Sequence, residues 1–571
     1  MSSASRFHPR AVWTRTRAAL VGSWRALSVC AAGGVIFALG SPPTDIYPFF
    51  VLGMAVLAAV AIDATTAWRA FGRGALWGTA AGLVGLRFVP EVILRFTPLG
   101  VPAACLALLL LSMAQSLVWA ACAGVAHLLH RRARAPIELA FAAGVMVAVC
   151  APTVFLWTPA GLTSRWVELV QLADLVGERG VSVIFGVMAA LLARAALVVL
   201  QRVAAERQVA PAVSRREALG VALRRREVLG ALGAALLLPV LLFAHGAWRV
   251  ASIEGASSGL PTARIALVDQ SVGPEERWVA KNHAPILRTL KDLTRRAEGE
   301  GSELTVWPEA AYPYPVDHDA GRVPGGESSP VGRGVRGPLL IGLITRDPPV
   351  TVEPGIVERN KYNSATVVAR DGSIQSPADK LQLLWFGEMV PGGQYFPWLR
   401  RLFVKSGSLL PGTEPRALEL TRPGAPTVRM AVLNCYEDTL PDVGRLVTRT
   451  LSPNLLVNIT NDAWFHGTAE SELHARLASM RAIEMRRDLV RAVNMGVTTW
   501  VDASGRVRSR RESQGPDVLV VEPRLREGGL TVYARAGDRR CGAFVGAAAA
   551  GAGRARRRLI AAAPARGEIA D

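Results

Sequence analysis

Three short motifs in the C-terminal half of the sequence hold a carboxylate, an ammonium group and a thiol, in that order. They are TVWPEA around Glu309, ADKLQLLWFGEMVP around Lys380 and LNCYED around Cys435. If folding brings the three side chains together, the thiol could act as a nucleophile and the carboxylate could accept its proton. The ammonium group could then stabilise an oxyanion. The motifs therefore predict acyl transfer through a thioester on Cys435.

Each of these residues, taken alone, has a simpler structural explanation. Cys435 ends an apolar run, where a cysteine is usually a small core residue, and Lys380 could be a solvated charge. Glu309 could cap a helix. The acidic residues Glu437 and Asp438 follow Cys435 closely and should raise the pKa of its thiol, so a nearby cation is needed for activation. The chemistry is predicted from the three motifs together and from no single residue.

A second glutamate, Glu388, lies in the apolar turn WFGEMVP, eight residues after Lys380. A carboxylate in apolar surroundings needs a charged or hydrogen-bonding partner. We expect Lys380 to be that partner.

Apolar runs around the three motifs predict the strands that position them. These runs alternate with stretches at 280–299 and 470–487 that predict helices. Such alternation indicates an α/β layered fold. Functional groups in such folds gather beyond the carboxyl ends of strands, which is where Glu309 and Cys435 stand in the sequence. The predicted strands and hairpins are 263–272, 304–310, 338–344, 362–375 with a turn at Asp371-Gly372, 428–435, 454–465 and 489–507.

The N-terminal half contains seven apolar segments, several of which approach the roughly 20 residues that a membrane-spanning helix needs. Arginines concentrate in the N-terminal tail and in the loops after the second, fourth and sixth segments. The positive-inside rule places the N-terminus and these loops in the cytoplasm. Seven crossings then deliver the C-terminal domain to the outer side of the membrane. The segments are 27–44, 47–63, 70–86, 97–126, 136–159, 180–201 and 228–247.

Composition narrows the possible partners. The 571 residues carry a formal net charge of +19, and the mean hydropathy is +0.27. A basic chain suggests nucleic-acid binding. Much of the excess charge, however, lies in the N-terminal tail, in short loops and in the last residues, as membrane topology requires, so no nucleic acid is expected. The six cysteines show no paired spacing and support neither a disulfide framework nor a zinc site.

We predict four parts of the chain. Residues 1–26 form a basic cytoplasmic tail, residues 27–250 a transmembrane domain of about seven helices, and residues 260–525 the catalytic domain. Residues 526–571 form a C-terminal segment. Within it, the apolar run 541–553 is a candidate for a short last membrane helix, followed by a basic tail.

The order of the motifs resembles that of the nitrilase, or carbon-nitrogen hydrolase, superfamily: PEA, then DK with FGE eight residues on, then CYE, then NDAWF. More closely, the chain resembles the apolipoprotein N-acyltransferases, a membrane-anchored bacterial branch. The stretches ALVDQSVGPEERW at 266–278, GSPPTDIYP at 40–48 and QLADLVGERGVSVIF at 171–185 extend the resemblance over nearly the whole chain. It implies a multi-pass α-helical membrane domain followed by an α/β nitrilase-like αββα sandwich domain.

The resemblance also implies a role for each matching residue. Glu309 would be the general base, Lys380 the oxyanion-stabilising cation and Cys435 the nucleophile. Two positions depart from the family pattern without removing a catalytic group: Trp385 replaces a proline, and His466 separates NDAWF from the next glycine. Supporting or substrate-contacting roles fall on Glu388, Tyr436, Glu437, Trp278, Trp464 and Phe465.

The reaction implied by the resemblance moves an acyl chain from a phospholipid, through a cysteine thioester, to an apolipoprotein. The acceptor would be the α-amine of a diacylglyceryl-modified cysteine, in the last step of bacterial lipoprotein maturation. The family places this reaction at the inner membrane, with the catalytic domain on the periplasmic side. No metal or other cofactor is implied, and a monomer is expected.

Two other functions remain open at this point. One is a membrane-tethered nitrilase-type amidase that uses the same three residues on a small C–N substrate. The other is a transporter or non-catalytic membrane scaffold. Very few ionisable residues lie in the apolar segments, which argues against a solute pathway through them. Release of ammonia from amides, with no thioester from phospholipid, would favour the amidase.

Overall fold

The computed structural model divides into two compact units. One comprises residues 1–153 and 182–239, and the other comprises residues 154–181 and 240–540. The predicted last helix at 541–553 and the tail after it lie outside the described residues, apart from 542–543 and 546. The described residues are 9–96, 99–155, 157–209, 214–353, 356–385, 387–390, 392, 395–396, 409–539, 542–543 and 546.

Helices make up the first unit, and two of them, α8 and α10, continue into the second. Long runs of Ala, Leu, Val and Gly with few charges favour helix formation where the surroundings are apolar. The helices up to residue 257 are α1 (Pro9–Ala38), α2 (Pro48–Asp63), α3 (Ala67–Gly85), α4 (Val89–Phe96), α5 (Val101–Arg131), α6 (Ile137–Cys150), α7 (Pro159–Thr163), α8 (Ala173–Val209), α9 (Arg215–Leu223) and α10 (Arg226–Ser257).

Three of these helices are long and apolar enough to cross a membrane: α5, the part Ala173–Glu206 of α8, and α10. The pair α3 and α4, bent by 55°, makes a fourth if it is taken as one broken span. Three shorter apolar helices cover Trp24–Ala38, Pro48–Asp63 and Ile137–Cys150. The predicted number and direction of crossings stay predictions.

Aromatic rings and small residues hold α1, α3 and α5 together. The Trp77 ring lies 4.9 Å from Phe37 and 5.1 Å from Trp119, between ring centroids, and its Nε1 donates to the Gly53 carbonyl at 2.9 Å. At Gly34, a Cβ atom would lie only 2.1 Å from the Trp77 carbonyl oxygen. Glycine is therefore required there for the close approach of α1 and α3.

The second unit contains two large β-sheets. The first has seven strands in the order β15-β1-β2-β4-β7-β8, with β3 paired to β4, and the second has six strands in the order β14-β13-β12-β11-β10-β9. The bounds are β1 (Ile265–Asp269), β2 (Leu304–Val306), β3 (Val316–Asp317), β4 (Leu339–Arg346), β5 (Val350–Glu353), β6 (Ile356–Glu358), β7 (Lys361–Val368), β8 (Ala378–Asp379), β9 (Ala417–Arg422), β10 (Ala425–Asn434), β11 (Leu455–Asn461), β12 (Leu489–Asn494), β13 (Val497–Val501), β14 (Val507–Glu512) and β15 (Asp517–Val521).

Three apolar layers show that this unit is an αββα sandwich. The middle layer lies between the sheets and contains Leu267 and Leu340 of one sheet with Met430 and Val457 of the other. Successive strand residues face opposite sides of a sheet. The alternate residues of the first sheet therefore pack on helix α11 (His283–Gly299), and those of the second pack on α12 (Pro441–Leu451) and α13 (Glu470–Met485). A short helix, α14 (Val532–Ala536), adds to the latter layer.

The segment 154–181 is bonded to α13 through buried charges. Arg481 on α13 pairs with Glu178 and, at 2.8 Å, with Glu484. The backbone N–H of Glu178 also donates to Glu484 Oε1 at 2.6 Å. Because these groups are fully buried, removal of one would leave the others uncompensated. The start of α8 is thus part of the sandwich unit.

The α/β layered fold predicted from the sequence is confirmed. Each predicted strand or hairpin of the catalytic half contains an observed strand, although the second arm of the hairpin 362–375 forms only an isolated bridge between Ile374 and Val368. The helices predicted at 280–299 and 470–487 appear as α11 and α13. Strands β3, β5, β6, β8, β9, β14 and β15 were not predicted; β9, for example, has the sequence ALELTR, which mixes charges with its apolar residues. The order of the sheets could not be predicted either, since it depends on pairings between distant segments.

Candidate active site

The three residues of the predicted site all stand where a strand ends. Glu309 follows β2 by three residues, Lys380 comes directly after β8, and Cys435 is the first residue of a 3-10 turn (Cys435–Thr439) after β10. At Glu309 and Cys435 the strand before the residue is apolar, whereas Lys380 follows the short strand Ala378–Asp379. Carboxyl-end placement of Glu309 and Cys435 is as the strand pattern predicts.

Lys380 lies between two carboxylates. Its Nζ is 3.1 Å from Glu309 Oε1 and 2.8 Å from Glu388 Oε2, and its side chain is 1% exposed. The expected pairing of Lys380 with Glu388 is therefore observed. Backbone N–H groups fix the two acids from outside: that of Asn461 donates to Glu309 Oε2 at 3.1 Å, and that of Leu384 donates to Glu388 Oε2 at 2.9 Å.

The charges of this trio stabilise each other. Burial opposes the charge of Lys380, but Glu309, Glu388 and Cys435 outweigh it and raise the lysine pKa well above its usual value. Burial likewise opposes the charge of Glu388, but Lys380 and the Leu384 N–H hold the pKa of that carboxyl below its usual value. Lys380 is therefore an ammonium ion and Glu388 a carboxylate at neutral pH.

Asn363, in the middle of β7, joins the two acids and was missed from the sequence. Its Nδ2 donates to Glu309 Oε1 at 2.7 Å and to Glu388 Oε1 at 2.8 Å. Its carbonyl accepts from the Lys380 N–H at 2.8 Å, and its Oδ1 accepts from Asn434 Nδ2 at 3.2 Å. The available signal was a polar asparagine within the strand KYNSATVV, where a buried side chain needs partners.

Cys435 has a strained backbone. Its φ is +55°, in the left-handed region that a residue with a Cβ rarely occupies. Its carbonyl accepts from Asn458 Nδ2 at 2.9 Å, and the same amide group donates to the Leu433 carbonyl at 2.9 Å. Such conformations persist only where neighbouring groups over-determine them, and they are frequent at catalytic residues.

The thiol of Cys435 is protonated at rest. Burial raises its pKa well above the usual value, Glu309 and Glu388 raise it further, and Lys380 acts in the opposite direction. The sequence attributed such a rise to the acids Glu437 and Asp438. In the structure, the carboxylates that raise this pKa most are Glu309, after β2, and Glu388, after β8. A protonated thiol needs a base before it can act as a nucleophile, and Glu309 is the candidate for that base.

Glu437 joins the segment after β8 to the end of β10. Its Oε1 accepts from the N–H groups of Leu381 and Gln382 at 2.7 and 2.9 Å. Its Oε2 accepts from the Asn434 N–H at 2.8 Å. Burial raises the pKa of Glu437 to about 7, although Lys380 and these N–H groups favour the charged form.

Tyr436 covers Lys380. The lysine Nζ lies 5.5 Å from the centroid of the tyrosine ring, within the range of a cation–π contact. The Tyr436 hydroxyl donates to the Leu383 carbonyl at 2.8 Å. Tyr436 and Glu437 together therefore bind the turn that carries Cys435 to the segment that follows Lys380.

The remaining predicted residues lie in other turns. Trp278 is 63% exposed in a 3-10 turn after β1, while Trp464 and Phe465 are half-buried in a 3-10 turn after β11. The Phe465 ring packs against that of Phe155, 6.5 Å between centroids. Of the two departures from the family pattern, Trp385 is exposed, and His466 Nδ1 lies 3.2 Å from the Met495 carbonyl oxygen.

Arg277 was also missed from the sequence. Its guanidinium stacks on the neighbouring Trp278 ring, 4.3 Å from the centroid. Burial lowers the pKa of Arg277, while Glu309 and Glu388 act to raise it. Arg277 is therefore a second cation, besides Lys380, that interacts with Glu309 and Glu388. It lies in the same turn as Trp278.

One group of the described residues has metal-ligand composition: Asp462, Glu470 and His474 offer atoms within 4.8 Å of one another. Both ring nitrogens of His474 already face carboxylate oxygens, however, at 2.9 Å from Asp438 and 3.2 Å from Asp462. That arrangement suits an imidazolium ion, which donates from both nitrogens. The geometry therefore gives no support to a metal in the predicted chemistry.

Comparisons with known families match both halves of the chain. The family described as apolipoprotein N-acyltransferase N-terminal domain matches residues 33–191, and the family described as carbon-nitrogen hydrolase matches residues 264–529.

Several curated relatives are named apolipoprotein N-acyltransferase. An apolipoprotein N-acyltransferase of Geobacter metallireducens is 31% identical over 392 residues, which covers 68% of this chain and 67% of that protein. One from Chlorobaculum tepidum is 32% identical over 312 residues, which covers 51% of this chain and 56% of that protein. Among solved structures, an amidase from Nesterenkonia sp. is 19% identical with a TM-score of 0.32, covering 49% of this chain and 95% of that one.

Proposed function

The chain belongs to the apolipoprotein N-acyltransferase family, and from that premise we propose that it transfers an acyl chain from a phospholipid to apolipoproteins. The acceptor is the α-amine of a diacylglyceryl-modified cysteine. One observation carries the proposal: the thiol of Cys435 interacts electrostatically with Lys380, which is paired with two carboxylates, in a chain whose helices are long and apolar enough to cross a membrane. Thiol, cation and base are the parts that acyl transfer needs.

In the first half-reaction, Glu309 accepts the thiol proton of Cys435. The thiolate attacks the ester carbonyl of the phospholipid, and Lys380 with the backbone N–H of Tyr436 stabilises the oxyanion. The ester C–O bond then breaks, and Glu309 returns the proton to the departing lysophospholipid. A thioester on Cys435 remains.

In the second half-reaction, the α-amine of the acceptor attacks the thioester. Glu309 accepts a proton from the amine, the C–S bond breaks, and the cysteine sulfur is reprotonated as the amide forms. Apolar surroundings would keep water from the thioester, so transfer is favoured over hydrolysis. No group beyond this chain and its two substrates enters either half-reaction.

Glu388 and Asn363 are proposed to hold Glu309 and Lys380 in place. Glu388 keeps Lys380 charged and directed to the site, and Asn363 fixes one oxygen of each acid. Tyr436 and Glu437 support the nucleophile turn from behind. Trp278, Trp464 and Phe465 are proposed to contact substrate from the neighbouring turns.

The protein is a membrane protein, and we propose a specific topology for it. The arginine pattern supports a cytoplasmic N-terminus, seven crossings by residues 27–250 and a catalytic domain at 260–525 on the periplasmic side of the inner membrane. Both substrates carry acyl chains that stay in the bilayer, so a site at the outer leaflet can receive each in turn. We propose that the protein acts as a monomer.

A transfer assay tests the proposal. The detergent-purified chain is incubated with phosphatidylethanolamine and a synthetic diacylglyceryl-cysteine lipopeptide, beside a Cys435→Ala control. We expect the peptide to gain the mass of one acyl chain by an amide bond, and the control to leave it unchanged. Ammonia release from small amides without any change in the peptide would contradict the proposal and favour the amidase.

A further inference from the structure

A buried histidine joins the nucleophile turn to the turn on the next strand. His474 of α13 has Nε2 2.9 Å from Asp438 Oδ1 and Nδ1 3.2 Å from Asp462 Oδ1. Asp438 belongs to the turn Cys435–Thr439, and Asp462 opens the turn Asp462–Phe465. All three side chains are almost wholly buried. The mechanism above makes no use of them.

We propose that His474 is a positioning residue that fixes the turn of Cys435 against the turn of Trp464 and Phe465, and so sets the reactivity of the nucleophile. The inference rests on the proposed role of Cys435 as the acylated residue. His474 itself touches neither substrate nor the reacting atoms. It acts through Asp438 on one side and through Asp462 on the other.

The strands explain why one side chain can reach both turns. Strands β10, β11 and β12 are parallel neighbours, so their carboxyl ends lie at one edge of the sheet. The two turns begin directly after β10 and β11. Helix α13 packs across this sheet, and its His474 presents one ring nitrogen to each turn. A planar ring with two opposed donors is suited to bridge two carboxylates.

Arg491, on β12, also binds the turn Cys435–Thr439. Its Nε lies 3.1 Å from Asp438 Oδ2 and donates to Asn458 Oδ1 at 3.2 Å. Asn458 in turn donates to the Cys435 carbonyl. Asp438 is therefore held by two cations, and the second of them is connected through one amide to the nucleophile itself.

This fastening accounts for the strained backbone of Cys435. A residue with a Cβ at φ +55° relaxes unless its surroundings prevent it. Three residues later, Asp438 is fixed between His474 and Arg491, so the turn cannot unwind without breaking two buried ion pairs. The strained conformation presents the thiol beyond the end of β10, as in other sharp strand-to-turn nucleophile positions.

The charges of the cluster keep the histidine protonated. Burial opposes its charge, but Asp438 and Asp462 outweigh burial and the nearby Arg491, and raise the pKa of His474 to about 10. Glu470, on the same helix, also faces the cluster, and burial raises its pKa to about 8 although His474 and Arg491 favour its charged form. His474 thus remains a two-donor bridge at neutral pH.

A double-mutant cycle on the full-length, detergent-purified chain tests the inference. The variants are His474→Gln, Asp462→Asn and the two combined, and the matched control is His283→Gln, a half-buried histidine that contacts Tyr314 at the start of α11. Two rates are measured in each: acylation of Cys435 by phosphatidylethanolamine, and alkylation of Cys435 by iodoacetamide, read from the mass of its peptide.

We expect each single variant to slow both rates by ten-fold or more and the double variant to be no slower than the slower single one. Such non-additivity is the signature of two groups that act through one bridge. The control should stay within two-fold of wild type. Losses that multiply in the double variant, or rates within two-fold of wild type in the folded single variants, would overturn the inference.

Two features keep the test decisive. If His474→Gln is not recovered in folded form, Asp462→Asn carries the test alone, since its side chain keeps the original shape: a ten-fold loss supports the bridge and an unchanged rate overturns it. Alkylation needs no acyl donor. If wild type is never acylated, the proposed function fails, and the alkylation cycle still decides the role of His474.

Discussion

Two clusters in the sandwich unit share one arrangement, in which a cation lies between two carboxylates. In the candidate active site, Lys380 lies between Glu309 and Glu388. Behind the nucleophile turn, His474 lies between Asp438 and Asp462. The first cation is a compact ammonium on a flexible stem, and the second is a rigid ring whose two donors point in opposite directions.

The difference shows that two clusters of similar charge can have different roles, one in proton exchange and the other in positioning. The acids around Lys380 also act on the thiol of Cys435, so this cluster can exchange a proton with a reacting group. The acids around His474, Asp438 and Asp462, belong to two different turns, so that cluster can fix the position of one turn relative to the other. Four predictions follow from this division, in decreasing order of expected effect.

Glu309→Gln should remove the base and leave the shape of the site intact. We expect acylation of Cys435 to fall by about 10³-fold, within the usual range for loss of a general base. The measurement is the rate at which the intact protein gains an acyl chain. Glu300→Gln, an exposed acid at the end of α11, is the matched control and should have no effect. Acylation of Glu309→Gln at more than a tenth of the wild-type rate would show that another group accepts the proton.

Lys380→Met should lower acylation by about 10²-fold, because the oxyanion loses a charged donor. It should also destabilise the sandwich unit by about 3–5 kcal/mol, since two acids are left unpaired. Thermal unfolding in detergent and the acylation rate are the measurements. The control is Lys291→Met, which removes a buried lysine that donates only to the Ser329 and Val331 carbonyls. Equal loss of acylation in both variants would mean that the effect comes from stability alone.

Asn363→Leu should lower acylation by about ten-fold. The change removes one hydrogen bond from each acid and leaves Lys380 in place, so the cost should be about 1–3 kcal/mol for the buried acceptors. The matched control is Asn360→Ala, whose amide donates to Asp347 on the surface. If Asn363→Leu acylates as fast as wild type, Asn363 does not orient Glu309.

Glu388 and the His474 cluster should respond to pH with opposite signs. The folded pKa values of Glu470 and His474 are raised to about 8 and about 10, above their usual values. A raised pKa adds stability that is complete below the unfolded pKa and is lost as pH rises through the folded pKa. The pKa of Glu388 is lowered, so its contribution is present at neutral pH and is lost as pH falls below about 4.

The midpoint of thermal unfolding between pH 5 and pH 10 measures this difference. We expect the midpoint to fall as pH rises, and the fall above pH 6.5 to shrink in His474→Gln. Glu388→Gln should leave that part of the profile unchanged. An alkaline fall that persists unaltered in His474→Gln would place its origin outside the buried cluster.

The sequence was sufficient to predict the layered fold of the catalytic half and the approximate positions of strands β1, β2, β4, β7 and β10 to β13. Alternating and continuous apolar runs give the strand bounds locally, and a polar residue after each run marks where a strand ends, as at Glu309 and Cys435. The pairing of Lys380 with Glu388 was predictable because the two residues lie eight positions apart in an otherwise apolar segment.

Asn363 and His474 could not be predicted, because their partners are distant in the chain. Asn363 bonds to Glu309 across 54 residues, and His474 bonds to Asp438 across 36 residues. In the sequence, Asn363 is a polar residue within a strand and His474 a polar residue within a helix. The sheet order supplies these partners: β7, which carries Asn363, lies in the same sheet as β2 and β8, and the carboxyl ends of β10 and β11, near His474, lie at one edge of the other sheet.

The central claim is that Cys435 carries the acyl group, and the intact mass of the protein tests it most directly. Wild type and Cys435→Ala are incubated with phosphatidylethanolamine in detergent, and the intact mass of each is measured by mass spectrometry before and after treatment with hydroxylamine. We predict a gain of one acyl chain in wild type, lost with hydroxylamine and absent from the variant. A folded wild type that gains no mass, or a Cys435→Ala variant that gains the same hydroxylamine-labile mass, would contradict the account.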